Sequence, residues 1–307
     1  MKAMILTGHG GPEMLRYDEV PDPVAGSGEI VVDIYAASVN GADPKVRRGN
    51  GRYQLARFPH ILGRDFSGVV AQTGPGVSDI KVGDAVFGVL DQGIEGTYAE
   101  KVAIKAALVA RKPATLSHAE AAALGLISLT AITSIEDVAA LEAGQTILIQ
   151  GGAGGVAGFA VQLARHLGAT VIATASADNH AYVKSLGADR VIDYRTEDFT
   201  KIGPICDVVY DTVGGADVRA RSYEVLKPGG KLVWIAPAPE TAHRSDVVTL
   251  KPDVKRDRAH LERMLALFEA GAIRPPTIVR YKLTDAVEAH RVSEGRHLQG
   301  KLVLEVR

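Results

Sequence analysis

Very little sulfur chemistry is open to this chain, whose 307 residues include one cysteine, Cys206. A single thiol forms no internal disulfide and builds no multi-cysteine zinc lobe. Cys206 lies in an apolar, strand-like run, which reads as a buried core thiol. Net charge is equally scarce: 35 basic residues against 36 acidic ones leave −1. Bulk electrostatics therefore gives no grip on nucleic acid or an anionic membrane, and no basic stripe with interleaved aromatics is present. No apolar run is expected to reach the roughly 20 residues of a membrane helix. Met1-Lys2-Ala3-Met4-Ile5-Leu6 enters a strand pattern without the apolar region and cleavage site of a signal peptide. Internal repeats and low-complexity segments are missing as well. What remains, 46% hydrophobic and 23% charged residues, is ordinary globular composition. The expectation is a soluble, cytoplasmic protein of about two domains.

Residues 1–118 carry short strand candidates, Ile30–Tyr35, Val69–Ala71, Ala85–Val89 and Ala99–Ile104, separated by Gly/Pro turns such as Gly74-Pro75-Gly76. That rhythm predicts a mainly antiparallel, barrel-like β domain. Ser117 and Glu120 form a capping-box pair ahead of the apolar Ala121–Leu129, so a helix starts there. From 119 to 261 strand and helix alternate, with strands expected at 146–150, 170–174, 190–192, 206–211 and 230–236 and helices at 155–167, 178–186 and 215–226. Such βαβ repetition implies a parallel sheet wrapped by helices, a Rossmann-type domain. Leu226-Lys227-Pro228-Gly229-Gly230 is read as a sharp helix end that delivers the chain to the strand Lys231–Ile235. Residues 262–307, with a helix over Arg258–Ala270 and a last strand near Gly300–Val306, return to complete the first domain.

One turn carries the most information. Thr146-Ile147-Leu148-Ile149 is a strand run, Gln150-Gly151-Gly152-Ala153-Gly154-Gly155-Val156-Ala157 follows, and a helix with apolar residues three and four apart begins. Strand, glycine turn and helix together fit the dinucleotide fingerprint. Gly152 is assigned the sharp turn, Gly154 the close approach to a diphosphate, and Ala157 the tight packing of helix on strand. The helix N-terminus offers N–H groups and partial positive charge to the phosphates. An NAD-preferring site places an acid at the end of the second strand, on the ribose hydroxyl. Here Thr170–Thr174 is followed by Ala175-Ser176-Ala177, with no carboxylate before Asp178. The cofactor favoured is NADPH, with Ser176, Lys184, Tyr194 and Arg195 as neighbours of the extra phosphate. Ser176 also has a plainer reading, as cap of the following helix.

Several motifs occur in a set order: Ala37-Ser38-Val39-Asn40-Gly41-Ala42-Asp43, Leu62-Gly63-Arg64-Asp65-Phe66-Ser67-Gly68, Gly83-Asp84-Ala85-Val86-Phe87-Gly88, Gly96-Thr97-Tyr98-Ala99-Glu100, Leu129-Thr130-Ala131, the glycine turn, Leu186-Gly187-Ala188-Asp189, Asp211-Thr212-Val213-Gly214-Gly215, Ala289-His290-Arg291 and Gly300-Lys301. Together they resemble the medium-chain dehydrogenase/reductase superfamily, in its zinc-free quinone oxidoreductase branch. The resemblance spans essentially the whole chain. It implies an α/β protein with a GroES-like, mainly-β catalytic domain and a Rossmann doubly wound parallel-sheet cofactor domain, with a cleft between them. It also implies NADPH and a homodimer built through the edges of the cofactor sheets. Residue by residue, it puts Thr130 near the nicotinamide and Gly154, Gly155 and Val156 at the diphosphate. Ser176 and Tyr194 fall at the 2′-phosphate, Val213 and Ala236 on the nicotinamide ribose side, and Lys301 approaches from the tail.

Zinc-bearing relatives carry Cys where this chain has Asn40, and Gly-His-Glu where it has Gly63-Arg64-Asp65. A catalytic zinc takes about three protein ligands, so a metal-free site is expected. Some other group must then stabilise charge on the acceptor as hydride arrives. Asn40 is the first candidate, through its side-chain N–H₂; the alternative is a turn bond to backbone. Tyr53 is the second, as hydrogen-bond donor or proton relay, against the reading of a part-exposed loop tyrosine. Asp43 is read as a local cap, and Arg64 with Asp65 as an ion pair at a domain interface. His60, His166 and His290 are read as surface or helix-packing residues. Arg47, Arg48, Arg52 and Arg57, with His243 and Arg244, make two loops mildly basic, as an anionic substrate or mere solvation would allow. Three functions stay open: quinone reduction, reduction of an enone or alkenal C=C bond, and NADPH binding with little turnover.

Overall fold

The computed structural model describes residues 1–50, 53–237, 244–295 and 298–307. Its contacts divide the chain into one unit of Met1–Leu126, Arg256–Arg263 and Pro275–Arg307 and another of Ile127–Lys255 and Met264–Arg274. The first break thus falls eight residues beyond the expected 118. Its cause is local: Ala119, Ala122 and Ala123, at the start of helix His118–Ile132, pack on Ala36 and Val303. The tail divides for a similar reason, since the Gln162 side chain bonds both the N–H and the carbonyl of Arg274 and keeps 264–274 with the second unit.

The helix begins as its capping box predicts. Glu120 N–H donates to Ser117 Oγ at 3.2 Å while the Glu120 carboxylate accepts Ser117 N–H at 2.8 Å. The expectation about apolar runs is corrected here. Continued by a π-helical turn, Thr133–Val138, the helical stretch His118–Val138 is 21 residues long with a mean hydropathy of 1.4, enough to cross a membrane by length and composition. Its most apolar window is 83% buried inside the protein, so core packing accounts for that hydropathy.

Among the described residues of the first unit, Leu15–Glu19, Lys2–Leu6 and His60–Ile61 form a three-stranded sheet, and a seven-stranded sheet is built around the long strand Glu29–Val39. That strand pairs antiparallel with Asp65–Thr73, Lys101–Lys105 and Lys301–Glu305. It outruns the expected Ile30–Tyr35 because Ala36-Ala37-Ser38-Val39 is buried on both faces, which erases the alternation that marks a strand in sequence. Pairing of Leu302 with Val39 brings Lys301 beside Asn40.

Among the described residues of the second unit every strand pair is parallel. The sheet runs Arg190–Asp193, Thr170–Ala175, Thr146–Gln150, Cys206–Asp211, Leu226–Trp234 and Val248–Leu250, which in chain order is the doubly wound 3-2-1-4-5-6. Strand order reverses between Thr146–Gln150 and Cys206–Asp211, whose ends pair as Gln150 with Asp211; such a switch point is where this architecture binds ligands. The expected helix end at Leu226–Gly230 is instead an irregular strand start. Leu226 pairs with Cys206, and the next pair, Lys231 with Val208, skips the stretch between, where Pro228 has no N–H to give and Gly229 has φ 77°.

Candidate active site

The glycine turn closes on the second strand. Gly152 N–H donates to Thr174 O at 2.8 Å and Gly151 N–H to Thr174 Oγ1 at 3.0 Å. The left-handed residue is Gly151, φ 78°, not Gly152, which corrects the first assignment. Gly152 lacks a side chain for packing reasons: a Cβ there would stand 3.0 Å from both Ala173 Cβ and Val183 Cγ1. At Gly154 the situation is the reverse. It is the N-cap of helix Gly155–His166 with ordinary extended angles, φ −73° and ψ 161° and no side-chain cap, and a Cβ would meet only Gly151 O, at 3.5 Å. Room for a side chain thus remains at Gly154 itself, directly ahead of the first turn, Gly155-Val156-Ala157, whose N–H groups head an amphipathic helix.

Around this turn is a clamp that the sequence reading passed over. Thr174 Oγ1 donates to Gln150 Oε1 at 2.8 Å, and Thr212 Oγ1 donates to Gln150 O at 2.7 Å. Asp211 Oδ1 accepts the N–H groups of Val213 and Gly214, at 3.1 and 2.7 Å, and Asp211 Oδ2 pairs with Arg219 at 3.3 Å. Among the described residues, buried Gln150 Nε2 has no acceptor, an orphan donor at the switch point. Asp211 stands in a motif noted for Val213, and its place at a strand's carboxyl end was the available signal. Val213 reaches the turn, since a Cβ on Gly151 would meet its Cγ2 at 2.8 Å; Ala236 lies against the same loop, its Cβ 2.9 Å from where a Gly214 Cβ would be. Ala175 pairs with Asp193, so Ser176 and Tyr194 follow side by side at neighbouring strand ends. Ser176 Oγ makes no cap; it accepts from Asn179 Nδ2 at 3.0 Å. Tyr194 is 47% exposed with the Arg195 guanidinium over its ring, and Lys184 is exposed on helix His180–Ser185. Thr130 is buried in helix His118–Ile132, its carbonyl accepting Ser134 Oγ at 2.6 Å.

In the first unit Asn40 is fully engaged. Its Nδ2 donates to Asp65 Oδ1 at 2.9 Å and to Ser38 O at 3.4 Å, and its Oδ1 accepts from Lys301 Nζ at 2.8 Å. Both amide protons are directed inward, so Asn40 does not offer the N–H₂ of the first reading; its bond to Ser38 O is the local backbone contact of the alternative, with Asp65 added. Asp65 also takes Ser38 Oγ at 2.8 Å and Leu126 N–H at 3.1 Å. A second chain runs from Asp43, whose Oδ2 accepts Asn40 N–H and Tyr98 OH, each at 2.8 Å. Tyr98 OH lies 3.3 Å from His290 Nε2, and His290 Nδ1 accepts from Arg47 at 3.2 Å. Burial pushes the Asp43 carboxyl up to about 6. Burial and then the Arg47 charge push His290 down to about 3, so the neutral ring receives Arg47 on Nδ1 and carries its proton on Nε2.

Several expectations change accordingly. His290 is fully buried, so it packs in the core rather than standing at the surface, and it is also bonded at both nitrogens. Arg47 is 1% exposed and bonds Gly10 O, His290 and Glu294; Arg48 pairs with the same Glu294, so neither greets an anion. Arg64 pairs with Glu95, through Nε at 3.0 Å and Nη2 at 2.8 Å, rather than with Asp65. Tyr53 is half-buried against the first unit's core. Arg52 and His243 lie outside the described residues. The metal question has a direct answer in the donor set. Where zinc would need ligands, Asn40 and Asp65 are tied up in internal bonds, Arg64 is a cation, and the Lys301 ammonium sits against Asn40 Oδ1. A divalent ion does not fit among them.

Two family models match the chain, an alcohol dehydrogenase GroES-like domain over residues 26–114 and a zinc-binding dehydrogenase over residues 186–304. Across 99% of its length the chain is 32% identical to a chloroplastic NADPH-dependent alkenal/one oxidoreductase of Arabidopsis thaliana, covering 79% of that protein. A quinone oxidoreductase from Coxiella burnetii has the same fold, with TM-score 0.93 and 34% identity over 100% of this chain and 99% of that one. The Escherichia coli quinone oxidoreductase complexed with NADPH gives TM-score 0.91 and 29% identity over 100% of both chains. The chain belongs to the medium-chain dehydrogenase/reductase superfamily, in its zinc-free quinone oxidoreductase branch.

Proposed function

We propose that this protein is a zinc-independent, NADPH-dependent oxidoreductase that reduces quinones by hydride transfer. The observation that carries this reading is the room left at Gly154 at the switch point, next to a second strand that is followed by Ser176 instead of an acid. The N–H groups of Gly155 and Val156 face the space a diphosphate needs. Ser176 and Tyr194, with Arg195 beside them, meet the extra phosphate, and Ser176 takes the place of the acid that would repel it. Gln150 Nε2, buried and without an acceptor among the described residues, is a further donor at the place where dinucleotide binds. The cofactor supplies the hydride; the chain supplies orientation and the electrostatics around it. The Escherichia coli relative, complexed with NADPH, supports the cofactor, and both bacterial relatives support the quinone.

A second reading, reduction of an enone or alkenal C=C bond, is supported by the Arabidopsis relative. The experiment is NADPH consumption against an ortho-quinone, a para-quinone, a simple enone and an acryloyl thioester, with NADH alongside. Turnover of quinones alone fixes the first reading and enone turnover moves the protein to the second. Tight NADPH binding with no acceptor reduced makes it a binding protein. A homodimer belongs to the same proposal. Its support is the short strand Val248–Leu250, the sheet's edge among the described residues, with Val248 50% exposed, on which a second copy can continue pairing. Sedimentation equilibrium tests it; a monomer at micromolar concentration refutes it.

A further inference from the structure

We propose that Arg219 is a positioning residue for the nicotinamide half of the cofactor, fixing the two strand ends on which that half rests. Arg219 takes this role on the NADPH reading above, and every residue involved lies within the second unit. In a doubly wound sheet the dinucleotide crosses the switch point, with one nucleotide to each side. Ser176, just past the second strand, marks the side of the adenosine and its extra phosphate. The other nucleotide is left the carboxyl ends of Cys206–Asp211 and Leu226–Trp234.

Those two ends are tied together by Arg219. Its Nη2 donates to Asp211 Oδ2 at 3.3 Å and to Ala236 O at 2.8 Å, reaching both ends from one nitrogen. Two backbone bonds run alongside, from Ile235 N–H to Asp211 O at 3.1 Å and from Gly215 N–H to Pro237 O at 3.4 Å. Asp211 passes the constraint on, since its Oδ1 holds the N–H groups of Val213 and Gly214. Val213 is 48% exposed beside the glycine turn, so the clamp ends in an apolar side chain open to solvent at the switch point.

Stability alone does not account for this guanidinium. Arg219 is 5% exposed, and its buried Nε has no acceptor among the described residues. A buried donor left unpaired is destabilising, and a buried ion pair adds little stability while it can single out one arrangement of its neighbours. Trp234 completes the arrangement: the Arg219 guanidinium lies 4.3 Å from the centre of its ring, and Lys251 Nζ lies 5.4 Å from it. Stacking of a planar cation on an indole fixes the direction of its N–H groups, which a flexible ammonium does not do.

Two variants test this, Arg219→Met and Arg219→Lys, each titrated calorimetrically with NADPH and with 2′,5′-ADP, a probe that lacks the nicotinamide half. Arg219→Met should weaken NADPH about tenfold or more and leave 2′,5′-ADP within about twofold of wild type. Arg219→Lys keeps a charge beside Asp211 but not the planar fork, and should show the same selectivity at about threefold or more. At saturating NADPH the emission anisotropy of the reduced nicotinamide gives a second readout, and it should fall in both variants. Equal losses for the two probes overturn the proposal, because Arg219 then supports the unit as a whole. Unchanged NADPH affinity and anisotropy overturn it as well. If Arg219→Met does not fold, Arg219→Lys decides by the same criteria. Wild-type protein that binds neither probe refutes the NADPH reading and this proposal with it. Wild-type protein that binds both, with variants that lose both equally or lose neither, refutes the proposal alone.

Discussion

Two glycines separated by one residue respond to substitution with opposite signs. At Gly154 the angles φ −73° and ψ 161° suit any residue, and an added Cβ meets only Gly151 O at 3.5 Å. Gly154→Asp therefore puts a favoured N-cap on helix Gly155–His166. The cap adds a few tenths of a kcal/mol over glycine, the helix dipole about 0.3–1, and the stiffer unfolded chain about 0.4–1. The sum is a gain of about 1–2 kcal/mol, or a rise of about 2–6 °C in Tm. The same carboxylate about 4 Å from a phosphate oxygen costs about 4 kcal/mol at an effective dielectric of about 20, which weakens NADPH roughly a thousandfold. Gly152→Ala does the converse. Its methyl would stand 3.0 Å from Ala173 Cβ and Val183 Cγ1, both on fully buried residues, and overpacking of that kind costs about 1–3 kcal/mol. Thermal melts without cofactor and calorimetric titration with NADPH measure the two axes. A Gly154→Asp protein that melts lower, or binds NADPH within tenfold of wild type, refutes the assignment of this turn to the diphosphate.

Ser176→Asp should raise the NADPH Michaelis constant at least about tenfold while leaving NADH unharmed, as read from initial rates with both cofactors; equal losses would remove Ser176 from the phosphate site. Asp43→Asn should grow more stable relative to wild type as pH rises from about 4 to 6. The folded-state carboxyl sits at about 6 against an ordinary 3.8, so its stabilising contribution is present at low pH and is lost as pH rises through 6, by about 3 kcal/mol at most. Denaturant midpoints across that range check it, and a difference that does not vary with pH refutes the shift. Ser117→Ala should cost about 1 kcal/mol with NADPH affinity unchanged; a neutral melt would mean the observed capping box contributes nothing.

Most of the second unit was legible because its strands are short, apolar and punctuated by Gly and Pro, and because its helices carry a 3.6-residue period. The glycine turn, Ser176 and Tyr194 came from that pattern and stand at adjoining strand ends. The first unit read less well. Strand Glu29–Val39 hides half its length in residues buried on both faces. Its site depends on partners far apart in sequence: Lys301 reaches Asn40 across 261 positions and Arg47 reaches His290 across 243. Local spacing carries no trace of such pairs. Sequence alone consequently reads His290 as a surface or helix-packing residue and Arg47 as part of a basic loop, and leaves the Asn40 amide open between the acceptor and a backbone turn. The misplaced left-handed glycine has a related origin, since Gly151 and Gly152 are chemically identical and the backbone around them decides which one turns.

Those same distant bonds set an order for the making of the protein. Met1–Leu126 leaves the ribosome before the second unit, yet its sheet lacks Ile278–Lys282 and Lys301–Glu305 until those later residues are added. The second unit has all its sheet strands, Thr146–Gln150 to Val248–Leu250, well before that. The unit begun first is thus the one completed last. During the interval the Asn40 amide and the Arg47 guanidinium stand without Lys301 and His290, and the strand edge of Glu29–Val39 that will receive Lys301–Glu305 is bare. An open edge of that kind is where nascent chains stick to one another. Slow translation or a premature stop near the end therefore exposes the first unit, not the cofactor fold, to aggregation.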